Sequence, residues 1–217
     1  MTLKKAVIFD LDGTLLDTVP DILDNINLML VHFGYKPVDE ETLKGYVGSG
    51  ARKLCADAIG VKITEQELDE RLAYYNAFYT ASESPKTKLF LGIENVLKEL
   101  KSRGYKLAIL TNKPQETTDK VYENYLKSFG FDAVVGQSGT VKCKPDKVAT
   151  LNLLKKLDVS PENAYFVGDG ETDVLTSINS GTKGIAVLWG YRKKTQLESV
   201  GAKIFAYSPN DLLSIID

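Results

Sequence analysis

The sequence predicts an α/β fold, in which a parallel sheet carries helices on both faces and an all-helical segment is inserted after the first strand. Two observations predict it. Short runs of β-branched and aromatic residues, typical of buried strands, alternate with helical patterns of ten-odd residues. One long segment, from about residue 17 to residue 85, contains helical patterns only. Strands that alternate with helices form parallel sheets covered on both faces.

Each predicted strand is a short apolar run, and each predicted helix places apolar residues on one face. Val96, Leu97 and Leu100 share such a face, and Gly104 then ends the helical pattern. The predicted strands cover residues 5–9, 106–110, 133–135, 164–167 and 184–188, and the predicted helices between them cover residues 94–103, 148–157 and 171–180.

The helical patterns of residues 17–85 predict a unit separate from the sheet. Apolar residues recur at helical spacing through this segment, and residues 82–86, rich in serine and proline, are typical of a linker that returns to the sheet. We therefore expect a core built from residues 1–16 and 86–217, and a helical insert built from residues 17–85.

Composition and charge exclude several classes of protein. Hydrophobic residues make up 43% and charged residues 26%, which are ordinary values for a globular chain. The 27 basic and 29 acidic residues nearly cancel, so we expect neither a nucleic-acid partner nor an anionic membrane. Two cysteines and one histidine exclude a disulfide scaffold and a structural zinc site. With no apolar stretch of 18 residues and no signal-peptide core, we expect a cytoplasmic protein, monomeric or weakly dimeric.

An acidic motif, Asp10-Leu11-Asp12-Gly13-Thr14, directly follows the first predicted strand. Ligands of open parallel sheets bind at the carboxyl ends of the strands. Two carboxylates at this position repel each other unless a cation or a division of roles separates them. Gly13 allows a sharp turn that brings backbone N–H groups close to an anion. The alternative is a turn with two solvated aspartates.

A second acidic pair, Asp169 and Asp173, follows the predicted strand at residues 164–167. Aspartates are common near helix N-termini, which is the structural alternative. Two strand ends with acidic pairs in one sheet instead favour a cluster of carboxylates. Oxygen ligands without histidine or cysteine suit Mg²⁺.

Two other strand ends add a hydroxyl, an amide and a lysine. Thr111 and Asn112 follow one strand, and Lys144 precedes Pro145 near the next, with Lys142 as a rival lysine. Each residue alone is more often structural. Together with a Mg²⁺ site and a free carboxylate, they indicate phosphoryl transfer by covalent catalysis on an aspartate.

The same residues resemble the motifs of the haloacid dehalogenase superfamily of phosphohydrolases. Residues 10–17 are similar to its first motif, Thr111 to the second, Lys144-Pro145 to the third, and Gly168-Asp169 with Asp173 to the fourth. The helical insert matches the family's cap domain in position and size. The resemblance runs from about residue 5 to the C-terminus, and within the family residues 19–22, 46–54 and 111–114 resemble the phosphoglycolate phosphatases.

This resemblance implies a Rossmann-like core and a role for each motif residue. Asp10 would attack phosphorus, and Asp12 would protonate the leaving group and then activate water. Mg²⁺ would be held by Asp10, by the backbone carbonyl of Asp12 and by Asp169, with Asp173 behind them. The phosphoryl oxygens would be held by Gly13, Thr111, Asn112 and Lys144. The implied substrate is a small phosphate ester, with 2-phosphoglycolate as the first candidate.

Two residues of the insert allow more than one interpretation. Thr18, with Asp21 three residues later, predicts a helix N-cap. Arg52 follows Gly48-Ser49-Gly50, a loop able to reach over the core, and could bind a substrate carboxylate. Its structural alternative is a solvent-exposed arginine beside an acidic neighbour.

Other functions are distinguishable on sequence features. Another small phosphate, such as a nucleotide, pyrophosphate or a sugar phosphate, remains an alternative substrate. A β-phosphoglucomutase-like sugar phosphomutase usually has Val or Ile at the position of Thr14. A phospho-receiver signalling module needs about half this length and its acceptor aspartate after the third strand. A serine hydrolase is disfavoured, because residues 136–140 do not match a nucleophile elbow.

Overall fold

The computed structural model describes residues 4–217 and contains a six-stranded sheet flanked by helices. All neighbouring strands of this sheet run parallel, in the order β5-β4-β1-β6-β7-β8. The predicted α/β fold with a parallel sheet is confirmed. The strands are β1 Ala6–Phe9, β4 Lys106–Pro114, β5 Ala133–Gln137, β6 Ala164–Gly168, β7 Lys183–Val187 and β8 Phe205–Ala206; β2 Leu16–Asp17 and β3 Lys88–Leu89 form a separate antiparallel pair.

The helices fall into two groups along the chain. Four lie between β2 and β3, and six alternate with the strands of the large sheet. The first group is α1 Val19–His32, α2 Glu40–Lys44, α3 Ala51–Ile59 and α4 Glu65–Ala81. The second group is α5 Ile93–Ser102, α6 Gln115–Tyr125, α7 Lys147–Leu157, α8 Glu171–Ser180, α9 Lys194–Ser199 and α10 Leu212–Ile215.

Strand β1 shows why the sheet is covered on both faces. All four of its residues are buried, and they alternate between two apolar clusters. Val7 and Phe9 belong to the cluster that includes α5, whereas Ala6 and Ile8 belong to the cluster that includes α7. A strand buried on both faces needs a continuous apolar run, which explains why this strand could be recognised in the sequence.

Helices α1–α4, called the helical insert below, pack around an apolar cluster of their own. Buried members include Ile26 and Met29 of α1, Leu54 of α3 and Tyr75 of α4. The chain enters and leaves the insert through β2 and β3, which pair with each other. These two short strands were not predicted from the sequence, and neither was β8.

The edge between α5 and β5 is fixed by a partly exposed ion cluster at Asp132. Its carboxylate lies 2.7 Å from Lys101 Nζ and 2.9 Å from Lys106 Nζ, and it accepts a hydrogen bond from the N–H of Leu107. Burial opposes ionisation, but these lysines prevail and lower the pKa of Asp132 to about 2. The charged form of Asp132 therefore stabilises this part of the fold.

Candidate active site

Three carboxylates meet at the carboxyl edge of the sheet. Asp10 follows β1, Asp169 follows β6, and Asp173 lies in the first turn of α8. Because β1 and β6 are paired neighbours, with Phe9 opposite Val167, their ends lie side by side. The three carboxylates are buried, and one oxygen from each lies within 4.8 Å of the others. The predicted convergence of two acidic pairs at one edge thus holds for Asp10, Asp169 and Asp173.

Two glycines make room for Asp169. A Cβ on Gly13 or on Gly190 would collide with the Asp169 side chain, and Gly13 also has a φ of 82°. Asp169 is then fixed by two donors, the N–H of Tyr191 at 2.8 Å and the hydroxyl of Thr14 at 3.1 Å. The roles of Thr14 and Gly190 were not found from the sequence, because they depend on contacts between distant segments.

Lys144 supplies the positive charge that the cluster needs. Its Nζ lies 2.8 Å from Asp10 Oδ1 and 2.6 Å from Asp173 Oδ1, and its side chain is 1% exposed. Lys142, the rival lysine, is largely exposed and pairs with Asp146. Asp173 Oδ2 also accepts the N–H of Gly170 at 2.9 Å, so both carboxylate oxygens of Asp173 have partners within the protein.

One lysine does not compensate three carboxylates. Burial and the neighbouring Asp173 raise the pKa of Asp10 to about 8, although Lys144 opposes the rise. Burial and Asp173 likewise raise the pKa of Asp169 to about 7. Burial would lower the pKa of Lys144, but Asp10 and Asp173 outweigh it and hold that pKa above its ordinary value. A site of buried oxygen donors with excess negative charge fits a hard divalent cation such as Mg²⁺.

The carboxylate of Asp12 lies in a different environment from that of Asp10. Asp12 Oδ1 accepts hydrogen bonds from the hydroxyl of Thr18 at 2.6 Å and from Lys113 Nζ at 2.9 Å. Lys113 also donates to the hydroxyl of Tyr79 in α4, at 2.7 Å. Asp12 is therefore oriented towards the helical insert. Its carboxylate is outside the three-carboxylate cluster, and metal binding through its backbone carbonyl stays a prediction.

The N-cap predicted at Thr18 is wrong in its side-chain contact. Helix α1 does begin at Val19, but the hydroxyl of Thr18 donates to Asp12 and makes no capping bond. The N–H groups of Thr18 and Val19 instead donate to the hydroxyl of Tyr191. Asp21 accepts from the hydroxyl of Thr87, at 2.6 Å, and so ties α1 to the returning chain.

The predicted phosphate-binding residues differ in whether they have a hydrogen-bond donor free for a ligand. Thr111 is buried beside the cavity, and its hydroxyl accepts from the N–H of Lys113 at 3.2 Å, which leaves its proton free. The N–H of Gly13 donates to the carbonyl of Leu16 at 2.9 Å, so Gly13 shapes the turn and does not present its own amide. Phosphate binding through the Gly13 amide is therefore not supported.

Asn112 joins three segments of the chain. Its Nδ2 donates to the carbonyls of Gly48 at 3.0 Å and Lys144 at 3.1 Å, and its Oδ1 accepts from the Lys144 N–H at 2.7 Å. Both side-chain N–H bonds are thus in use. We find Asn112 positioning the Lys144 loop and the insert, and phosphate binding by its side chain is not supported.

For Arg52 the structure favours the alternative interpretation, an exposed arginine beside acidic neighbours. Its guanidinium pairs with Glu65 and Asp69 of α4, and its side chain is 43% exposed. Gly50 is the N-cap of α3, so Arg52 falls in the first turn of that helix, on an exposed face. The residues that line the cavity include Gly50, Ala51 and Leu54 but not Arg52. The predicted contact with a substrate carboxylate is not supported.

The segment after β7 links the carboxylate cluster to the insert. Tyr191 donates its N–H to Asp169, and its hydroxyl donates to Asp17 at 3.1 Å. Arg192 donates to the carbonyls of Lys44, Gly45 and Val47, the last at 2.6 Å. Sequence reasoning missed both roles, since Tyr191 and Arg192 are far in sequence from the residues they hold.

A cavity of about 40 Å³ lies between the insert and the carboxyl edge of the sheet. Its core side presents Asp10, Asp12 and Thr111. Its insert side is mostly apolar and is formed by Ile22, Val47, Gly48, Gly50, Ala51, Leu54, Tyr75 and Tyr79. Among residues 4–217, no helix has the length and hydropathy required to cross a membrane.

Comparisons with known proteins agree with this arrangement. Residues 7–187 match the family model described as haloacid dehalogenase-like hydrolase. The chain is 32% identical to phosphoglycolate phosphatase 1 of Pseudomonas aeruginosa, over 99% of this chain and 80% of that protein. It is 31% identical to the phosphoglycolate phosphatase of Aquifex aeolicus, over 98% of this chain and 97% of that protein.

A solved structure gives the same result. A haloacid dehalogenase-like family protein from Streptococcus pneumoniae superposes with a TM-score of 0.86 at 26% identity, over 100% of both chains. The fold, the clustered carboxylates and these matches define a hydrolase. The chain belongs to the haloacid dehalogenase-like hydrolases, and the family predicted from the motifs is confirmed.

Proposed function

We propose that this hydrolase is a Mg²⁺-dependent phosphomonoesterase that forms an aspartyl-phosphate on Asp10. The observation that carries the proposal is the different surroundings of two carboxylates that are two residues apart. Asp10 lies in the cluster with Lys144, whereas Asp12 is held by Thr18 and Lys113. Two carboxylates in distinct environments can act as nucleophile and as acid–base.

Asp10 is the nucleophile in this proposal. Its Oδ1 is fixed by Lys144 and by the N–H of Leu11 at 2.7 Å, and the carboxylate is thereby held in one orientation. Asp10 attacks phosphorus, and the bond from phosphorus to the ester oxygen breaks. Asp12 gives its proton to the leaving oxygen and later takes one from the water that cleaves the acyl phosphate. Inorganic phosphate leaves, and both aspartates return to their starting state.

Hydrogen-bond donors from three strand ends stabilise the negative charge on the transferred phosphoryl group. The hydroxyl of Thr111 has a free proton, and Lys144 carries a positive charge directly beside Asp10. The N–H of Asp12, two residues after the nucleophile, has no partner among residues 4–217 and is a free backbone donor. Such fixed donors stabilise the developing charge without reorganisation.

Asp10 and Asp169, with the backbone carbonyl of Asp12, would hold Mg²⁺, and Asp173 would stay on Lys144. When bound, the cation neutralises phosphoryl oxygens and lowers the pKa of the carboxylates that contact it. The excess negative charge of the cluster, evident in the raised pKa values of Asp10 and Asp169, supports this assignment.

We further propose that residues 1–16 and 86–217 are the catalytic core and that residues 17–85 are a cap that selects the substrate. Support comes from the separate apolar cluster of the insert and from its position over the cavity. The antiparallel pair of β2 and β3 lies at the two crossings between these units and is a natural hinge.

The first candidate substrate is 2-phosphoglycolate. The relatives from Pseudomonas aeruginosa and Aquifex aeolicus are named for it. A purified-enzyme screen over about fifty phosphorylated metabolites, with released phosphate as the readout, tests the substrate class.

The covalent step has its own test. Asp10→Asn keeps the size of the side chain but removes the attacking charge, and we expect turnover to fall by at least about 10³-fold. Acid-quenched wild type should carry one phosphoryl group on the Asp10 peptide by mass spectrometry, and Asp10→Asn should carry none. More than a tenth of wild-type turnover in Asp10→Asn would refute the mechanism.

A further inference from the structure

The cavity contains three polar groups that the proposed phosphoryl transfer does not use as reacting groups. They are the ammonium of Lys113 and the hydroxyls of Tyr75 and Tyr79, which all line the cavity. The Lys113 side chain is 3% exposed, and Tyr75 and Tyr79 are 2% and 3% exposed. All three groups are therefore withdrawn from bulk water.

The two tyrosine hydroxyls each have a hydrogen-bond donor left over. Lys113 Nζ donates to both carboxylate oxygens of Asp12, at 2.9 and 3.3 Å, and to the Tyr79 hydroxyl, at 2.7 Å. The Tyr79 hydroxyl accepts that bond, so its own proton finds no acceptor among residues 4–217. The Tyr75 hydroxyl likewise has no hydrogen-bond partner among residues 4–217. Buried polar groups are normally satisfied, so donors that face a cavity fit the acceptors of a ligand.

The cavity wall carries two carboxylates, Asp10 and Asp12, and one cationic group that a ligand could approach. In the described part of the chain, Lys113 is the only cationic side chain that lines the cavity. Around it, Ile22, Val47 and Leu54 give an apolar wall. A carboxylate placed there would accept hydrogen bonds from the two free hydroxyls and lie beside the Lys113 ammonium, and burial of an anion requires such donors and a nearby cation.

We propose that Lys113, Tyr75 and Tyr79 bind a carboxylate on the alcohol portion of the substrate. This inference rests on the proposed function and names its substrate class: phosphate esters with a carboxylate one carbon from the ester oxygen. The spacing follows from Lys113, which contacts Asp12 at 2.9 Å. Asp12 contacts the leaving oxygen and Lys113 contacts the carboxylate, so only a short spacer fits between the two. Lys113 thus takes the role that the sequence suggested for Arg52.

The test compares two esters of equal length. 2-Phosphoglycolate has a carboxylate where ethyl phosphate has a methyl group. Tyr75→Phe and Tyr79→Phe should each lower kcat/KM for 2-phosphoglycolate about 10- to 100-fold, the range for a hydrogen bond to a charged group. The loss should appear mainly in KM, because the contact is present before and during the reaction. For ethyl phosphate, Tyr75→Phe should change kcat/KM by about threefold or less.

Two control variants separate this role from general packing. Tyr122→Phe removes a hydroxyl from a tyrosine that packs against Phe131 and does not line the cavity, and should leave both substrates unaffected. Arg52→Ala removes the exposed ion pairs with α4 and should also leave both unaffected. Calorimetric titration of 2-phosphoglycolate into Asp10→Asn, with and without Tyr75→Phe, measures the same contact without turnover and should show the same loss of affinity.

The outcomes distinguish this inference from the function on which it rests. Equal losses on both esters, or no loss with either tyrosine variant, would overturn the carboxylate site and leave the phosphatase intact. A selective loss in Arg52→Ala would return that role to Arg52 and overturn the assignment to Lys113. If wild type with Mg²⁺ hydrolyses no phosphomonoester in the screen, the proposed function itself fails, and this inference fails with it.

Discussion

Replacement of Lys144 by methionine tests how the chain tolerates three buried carboxylates. Lys144 lies 2.8 Å from Asp10 and 2.6 Å from Asp173, and all three side chains are at most 5% exposed. Methionine keeps most of the volume and removes the charge. Loss of one partner from a buried ion pair costs about 3–5 kcal/mol, because the other charge is left unpaired. Since domains are stable by about 5–15 kcal/mol, urea unfolding in EDTA at pH 7 should detect the change easily.

A double variant separates charge from packing in the same experiment. Asp173→Asn added to Lys144→Met removes a buried carboxylate that has lost its lysine. We expect the double variant to recover at least about 1 kcal/mol of unfolding free energy relative to Lys144→Met. Activity should not recover, because Lys144 also faces the phosphoryl group. Lys142→Met, at the exposed neighbouring lysine, should stay within about 0.5 kcal/mol of wild type. Additive losses in the double variant, or a loss below about 1 kcal/mol in Lys144→Met, would refute the reasoning.

Three other predictions concern the cation, acid stability and the insert. EDTA should abolish phosphatase activity, and Mg²⁺ should restore it and raise Tm, because a ligand of the folded state stabilises that state; an unchanged Tm would contradict the metal site. Asp132→Asn should cost roughly 1–2 kcal/mol at pH 7, after allowance for solvent screening. With its pKa lowered from 3.8 to about 2, Asp132 stabilises the fold above about pH 4. The difference in unfolding free energy between wild type and Asp132→Asn should therefore shrink as pH falls towards 2, and a constant difference would contradict the prediction. Arg192→Ala removes the donor to the carbonyl of Val47 and should raise KM and speed proteolysis of the insert, whereas exposed Lys193→Ala should do neither.

The core of the site was predictable because parallel strands bring their carboxyl ends to one edge. Asp10, Thr111 and Asp169 each follow a buried apolar run, so their convergence follows from the alternation of strands and helices alone. Choosing Lys144 over Lys142 needed the resemblance, because both lysines precede α7 within a few residues. The structure gives the physical reason, since only Lys144 is buried against the carboxylates.

The contacts between insert and core were beyond the reach of local sequence patterns. Nothing in the sequence pattern placed Lys113 at the site, because β4 was predicted to end at residue 110. In the structure β4 continues to Pro114, which still pairs with Gln137 of β5. That extension carries Lys113 to Asp12. Thr18 had the spacing of an N-cap, and its local pattern gives no sign that its hydroxyl donates to Asp12 instead. The predicted contact of Arg52 with substrate is not supported, because ion pairs within the insert already satisfy its guanidinium.

In the proposed mechanism, the position of Asp12 couples the acid–base step to the helical insert. Its partners are Thr18, at the start of α1, and Lys113, which is itself bonded to Tyr79 of α4. Asp10, by contrast, is held by Lys144 and the backbone of Leu11, both outside the insert. A displacement of the insert would therefore disturb the proton donor and leave the nucleophile in place. An enzyme built in this way protonates the leaving group only while the insert covers the substrate, which links the selection of the substrate to the chemistry of Asp12.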